Sequence, residues 1–105
     1  MLNDISAICP LLKKYGIMTV VDSVSASFGE PMRISDWQID IMCGGSQKVV
    51  SAPPGLTFVV ISDDAKKTMA ERKTPIASFY ANLTTFAHYY EEKWFPYTMP
   101  ISDIY

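Results

Sequence analysis

The 105 residues hold one histidine, two arginines and two cysteines. Cys9 and Cys43 lie in apolar contexts with neither a CxxC nor a Cys/His spacing. That argues against a disulfide framework and a metal site, and for buried thiols of a reducing compartment. No basic run or stripe exists, and 9 Lys+Arg against 11 Asp+Glu leave a net charge of −2. The electrostatic footprint of a nucleic-acid binder is therefore missing. No apolar run approaches the ~20 residues that span a bilayer, and the mixed, acidic opening "MLNDIS" is not a secretory signal. These absences predict a soluble, intracellular protein without a membrane partner, placed in the cytoplasm, with an organellar location in a eukaryote left open. Repeats and low-complexity segments are also lacking.

What is there describes a chain with a core. Hydrophobic residues make up 49% and charged ones 19%, the proportions of an ordinary globular domain. Ile5, Ile8, Leu11, Leu12 and Tyr15 fall on one helical face, with Lys13 and Lys14 near the end and Gly16 as the stop. Pro10 inside that pattern predicts a kink or a start delayed to Ser6. "GIMTVVD", "IDIMCG" and "LTFVVIS" are continuous apolar runs of strand length. Continuous rather than alternating hydrophobicity predicts strands buried on both faces of a parallel sheet between helices, hence an α/β class with a mainly parallel sheet. "DDAKKTMAERK" predicts a helix with acids first and bases last, closed by Thr74-Pro75. "SFYANLTTFAHYYEEKW" predicts another, with Phe79, Leu83, Phe86 and Tyr90 along one stripe.

About three strands and three helices cannot cover a parallel sheet, whose usual size is roughly four to six strands. Residues 1–105 are accordingly expected to form a single partial domain, with apolar edges relieved by association or by further sequence.

In open α/β sheets ligands bind beyond the carboxyl ends of the strands. Asp22 closes "MTVVD" and Lys48 lies just past "IDIMC", so parallel strands would carry both to one rim. A lysine in a partly dry pocket can form a Schiff base with an aldehyde. A buried aspartate can hold a protonated ring nitrogen and make a heteroaromatic ring a better electron sink. Pyridoxal phosphate uses both groups. The residues alone leave plainer readings open: Asp22 capping a turn through Ser23, and Lys48 as a solvated loop lysine.

From "VVDSVSASFGEP" through "IDIMCGGSQKVVSAPPGLTFVVIS" the chain resembles the large domain of class V, fold-type I pyridoxal-phosphate aminotransferases of the alanine–glyoxylate and serine–pyruvate type. The matching residues are Asp22, Val24 and Ser27, then Gly45-Ser46-Gln47-Lys48, then Ala52-Pro53-Pro54-Gly55. The resemblance implies a fragment, central in the large domain and lacking the small C-terminal domain, of an enzyme moving an amino group from an amino acid to a 2-oxo acid such as pyruvate or glyoxylate. It further implies that Lys48 forms the internal aldimine and moves the substrate proton, that Asp22 pairs with the pyridine nitrogen, that Val24 packs against the ring and that Gln47 contacts the phosphate. A looser likeness continues to "WFPYTMP", where Thr98 matches a threonine reaching the phosphate of the neighbouring subunit, which implies a homodimer. Phe95 stands where tyrosine is frequent, and Gly44 where serine or threonine is; little consequence is expected of the latter.

A phosphate-binding glycine or serine loop, a ring-stacking aromatic and a carboxylate-binding arginine are not identifiable here, and neither Arg33 nor Arg72 is assigned that last role. The chain alone is therefore expected to be inactive. Two alternatives accompany this reading. A cysteine desulfurase-like lyase would usually carry histidine before the lysine, where this chain has Gln47. A non-catalytic α/β interaction domain derived from the enzyme would use the exposed strands and aromatic helix. His88, Trp37, Trp94 and the methionines Met18, Met32, Met42, Met69 and Met99 read as structural or packing residues.

Overall fold

The computed structural model describes residues 2–93. The chain divides into two units, Met1–Ala65 and Lys66–Tyr105. The first opens with α1 (Ile5–Lys14), followed by β1 (Val20–Asp22), β2 (Ile41–Gly45) and β3 (Thr57–Ile61), and α2 (Asp63–Ala70) begins within it. The Asp4 carboxylate caps α1 by accepting from the Ala7 N–H at 3.2 Å, an interaction that contributes about 1 kcal/mol. The helix accommodates Pro10 in its interior and starts at Ile5, ahead of the delayed start that Pro10 predicts. It ends in a left-handed Gly16 (φ 69°), whose N–H reaches the Lys13 carbonyl while the Ile17 N–H reaches that of Leu12. Those two bonds close the last turn as a Schellman motif.

The sheet has the order β1-β2-β3. β1 and β2 are parallel, with Val20, Val21 and Asp22 opposite Ile41, Met42 and Cys43. β3 runs antiparallel to β2, with Gly44 opposite Phe58. The α/β class stands, but this third strand departs from a mainly parallel arrangement for a topological reason. A parallel return needs a crossover of a dozen or more residues, which residues 23–40 provide, whereas residues 46–56 form a short helix-free loop that can only reverse direction.

Burial also differs from the expectation of strands covered on both faces. In β2, Met42, Gly44 and Gly45 are buried, yet Val20 of β1 is 72% exposed, and Val59 and Val60 of β3 are exposed as well. Among the described residues each outer strand has a strand neighbour on one side only. The core gathers Cys9, Ile39 and Met42, with Ile5, Val21, Met32, Ile34, Trp37 and Phe58 against them. Trp37 and Met42 are thus packing residues, as the sequence suggests, and both cysteines are free thiols, Cys9 buried and Cys43 half-buried.

At the amino end of β2 lies a buried carboxylate, Asp40, 1% exposed. It accepts from Lys13 Nζ at 2.5 Å and from the Thr19 N–H at 2.9 Å, with the Ser62 hydroxyl at 3.3 Å. Lys13 also pairs with Asp64 at 2.9 Å. One side-chain cluster therefore ties α1, the entry to β1, β2 and the first turn of α2 together. Burial alone would raise the Asp40 pKa, but the Lys13 and Thr19 hydrogen bonds outweigh it and hold the carboxyl below its ordinary value. Hydrogen bonds to Asp40 and then Asp64 push the Lys13 ammonium up in turn.

In the second unit the long aromatic helix is absent. A 3₁₀ turn spans Leu83–Phe86 and a single turn, α3, spans Tyr89–Glu92, ended by a left-handed Lys93. The physical cause is local competition for the backbone. The Ser78 hydroxyl accepts from the Ala81 N–H, and the Asn82 amide oxygen accepts from both the N–H and the hydroxyl of Thr84. Side chains of this kind offer the chain an alternative to continuous helix. His88 sits at the N-cap of α3 without a side-chain capping bond. No helix among the described residues is long and apolar enough to cross a membrane.

Candidate functional site

β1 and β2 are parallel, so their carboxyl ends form one rim, and Asp22 and the segment after Gly45 both lie on it. Asp22 is exposed at the last position of β1, opposite Cys43. Its Oδ1 accepts from the Val24 N–H at 3.0 Å, an Asx turn that starts the next segment. The turn-forming and ligand-facing readings of Asp22 are therefore compatible. Residues 23–30 then coil, with the Ala26 and Ser27 N–H groups donating to the Ser23 carbonyl and Gly29 and Glu30 to that of Ala26. The buried Ser23 hydroxyl anchors this coil to β2 at the Cys43 carbonyl, 2.7 Å away, and lies 2.7 Å from the Ser27 hydroxyl. Val24, between them, is half-buried.

On the other strand the chain leaves Gly45 into a loop bearing Gln47 and Lys48, both exposed. Gly44 is the feature whose consequence exceeds the expectation. The ring of Phe58, its cross-strand neighbour, occupies the space a side chain at position 44 would need. An aromatic ring lying over a glycine on the facing strand covers otherwise bare backbone, and Phe28 meets the same ring edge-on at 5.5 Å between centroids. At Gly45 a Cβ would stand 2.5 Å from Gln47 Oε1, so glycine lets that amide fold back over the strand end. At Gly29 a Cβ would stand 2.9 Å from a methyl of Val49. That close approach seats the loop carrying Lys48 against the coil that follows Asp22.

The structure therefore brings Asp22, Val24, Gln47 and Lys48 to one end of the sheet. Thr98, Phe95, Trp94 and Met99 lie outside the described residues. Arg33 is engaged with Asp36 at 3.6 Å on the surface. Among the described residues no cluster of three or more His, Cys, Asp or Glu could hold a metal ion. Two polar residues carry more of the architecture than the sequence reading assigns them. Asp40 appears there only as part of an apolar strand run, and Ser46 only as part of a motif. For Asp40 the available signal was a polar residue within an otherwise apolar run, which must find partners when buried; Ser46, in the polar segment after β2, carries no such signal.

An acid and an amine thus share the rim of adjacent parallel strands, the place where open α/β sheets generally receive ligands. Comparison with known proteins makes that class specific, since residues 1–99 match the family Aminotransferase class-V. Alanine–glyoxylate aminotransferase of Mus musculus is 35% identical over 99 residues, covering 90% of this chain and 24% of that protein. Among solved structures, pyridoxamine–pyruvate aminotransferase of Mesorhizobium loti superposes with a TM-score of 0.82 at 32% identity, covering 97% of this chain and 26% of that one. Alanine–glyoxylate aminotransferase of Nostoc sp. also gives a TM-score of 0.82, at 26% identity, covering 92% of this chain and 26% of that one. The chain belongs to the class-V aminotransferase family, and it spans about a quarter of the length of these relatives. These findings do not favour the desulfurase-like or non-catalytic alternatives.

Proposed function

We propose that this chain supplies the lysine-bearing rim of a pyridoxal-phosphate aminotransferase that moves an amino group from an amino acid to a 2-oxo acid. The observation that carries this reading is an exposed carboxylate at the carboxyl end of β1 and an exposed lysine in the loop that leaves the carboxyl end of the neighbouring parallel β2. The donor set fits the cofactor: one primary amine, one carboxylate whose Oδ2 is left for a ligand by the Val24 bond to Oδ1, and one amide folded over a glycine.

When bound, pyridoxal phosphate supplies an aldehyde that couples to amines and a ring that takes up the electron pair left when a substrate Cα–H bond breaks. Lys48 Nζ would hold that aldehyde carbon and, once displaced by the amino donor, accept the Cα proton and return it to the cofactor carbon. The Asp22 carboxylate would accept a hydrogen bond from the protonated ring nitrogen and keep it charged. Val24 would pack against the ring, and the Gln47 amide would donate to the phosphate. Thr98 would reach the phosphate of a neighbouring subunit in a homodimer. Alanine as donor and glyoxylate or pyruvate as acceptor are the substrates that the names of the relatives recommend.

The test is to incubate the full-length protein with pyridoxal phosphate, reduce with borohydride and map the label. Labelling at Lys48 in the parent and its loss in Lys48→Ala is the expected result. An unlabelled parent would sink the enzyme reading. A panel of amino donors and oxo acceptors then sets the specificity.

A further inference from the structure

Ser46 is 7% exposed and gathers both ends of the loop that carries Lys48. Its N–H donates to the Leu56 carbonyl at 3.0 Å, and its own carbonyl accepts from the Ala52 N–H at 3.0 Å. Its hydroxyl donates to the Pro53 carbonyl at 2.6 Å and lies 3.4 Å from the Leu56 N–H that faces it. Four hydrogen bonds thus converge on one residue two positions before the lysine. Inside this closed loop the Lys48 carbonyl accepts from the Ser51 N–H at 2.9 Å, with Ser51 in the left-handed region at φ 58°. A non-glycine residue persists there only when its surroundings over-determine it.

We infer that Ser46 is the positioning residue for Lys48: its hydroxyl, bonded to the Pro53 carbonyl, locks the loop so that the lysine leaves the sheet at one place on the rim. The backbone bonds of Ser46 belong to any side chain, but the hydroxyl bond does not. Without it the Pro53 carbonyl loses its donor, and the loop is held at Ala52 and Leu56 alone. The lysine main chain then samples several positions, and a nucleophile misplaced by about an ångström loses rate steeply. The lysine half of this inference rests on the function proposed above, whereas the loop half does not.

The experiment uses the full-length protein and the variants Ser46→Ala and Ser46→Thr, the second restoring the hydroxyl. In cofactor-free protein, amide exchange at Ala52 and Leu56 and trypsin cleavage after Lys48 should rise about tenfold in Ser46→Ala, because local opening becomes easier. Ser46→Thr should return toward the parent. With pyridoxal phosphate added, the rate of borohydride-trappable attachment to Lys48 should fall about tenfold in Ser46→Ala, and kcat should fall with KM for the amino donor nearly unchanged. Unchanged exchange and proteolysis in Ser46→Ala would overturn the lock. A loosened loop with parental attachment and kcat would overturn the positioning role. A lowered attachment rate that tracks a collapsed thermal midpoint, and that Ser46→Thr does not restore, would also overturn it by making Ser46 merely structural. A parent that never labels at Lys48 overturns the proposed function and the positioning role with it, and the cofactor-free readouts separate that failure from failure of the lock.

Discussion

Replacing Asp40 with asparagine removes a charge from a buried, multiply bonded carboxylate of the first unit while preserving its shape. Asp40 is 1% exposed and accepts from the Lys13 ammonium, the Thr19 N–H and the Ser62 hydroxyl. An asparagine can present only one oxygen, so its NH₂ must face either the Thr19 N–H or the Lys13 ammonium, and one buried donor is left against another. Hydrogen bonds to charged groups contribute about 1.5–3 kcal/mol each, and removing one partner of a buried pair costs about 3–5 kcal/mol. Lys13 is 28% exposed and keeps Asp64 and water, which places the expected loss near the lower bound, about 3 kcal/mol. Urea unfolding of the full-length protein should show a lowered midpoint at unchanged slope.

The acid limb supplies the sign. The folded Asp40 carboxyl titrates below its ordinary value of 3.8, so its contribution is complete above that value and is lost as pH falls through the lower folded pKa. Asp40→Asn should therefore lose stability at neutral pH and show a shallower decline below about pH 4. An unchanged urea midpoint, or an acid limb as steep as the parent's, would refute the claim that this cluster ties α1 and residues 62–64 to the sheet.

Two further outcomes follow from glycine positions. Gly44→Ala should destabilise by about 2–3 kcal/mol because its methyl meets the Phe58 ring, and adding Phe58→Leu should recover part of that loss in a double-mutant cycle read by urea unfolding. Gly16→Ala should cost about 1 kcal/mol in the same assay through its positive φ alone, since no atom lies within 4 Å of the added methyl.

The strand cores and the first two helices were legible because apolar runs and helix-end chemistry are local signals: "GIMTVVD" and "LTFVVIS" contain their strands, and "IDIMCG" holds all of β2 but Gly45. The placement of Asp22 at the end of β1 and of Lys48 in the loop after β2 follows from their distance along the chain to those apolar runs. The aromatic helix failed because its stripe of Phe79, Leu83, Phe86 and Tyr90 satisfies helical spacing, while Ser78 and Asn82 withdraw the backbone into turns. Hydrophobic period does not report that competition.

By itself, the sequence determined the α/β class, the order of its three strands and first two helices along the chain, and the family motif holding Lys48, all carried by residues close together in the chain. Only the tertiary structure decided the antiparallel sense of β3, the ring of Phe58 over Gly44, the burial of Asp40 under Lys13 and the closure of the Lys48 loop on Ser46. Each of these depends on which distant atoms come within about 3–4 Å of one another once the loop lengths are satisfied, and hydrogen bonding and close packing act only at that range.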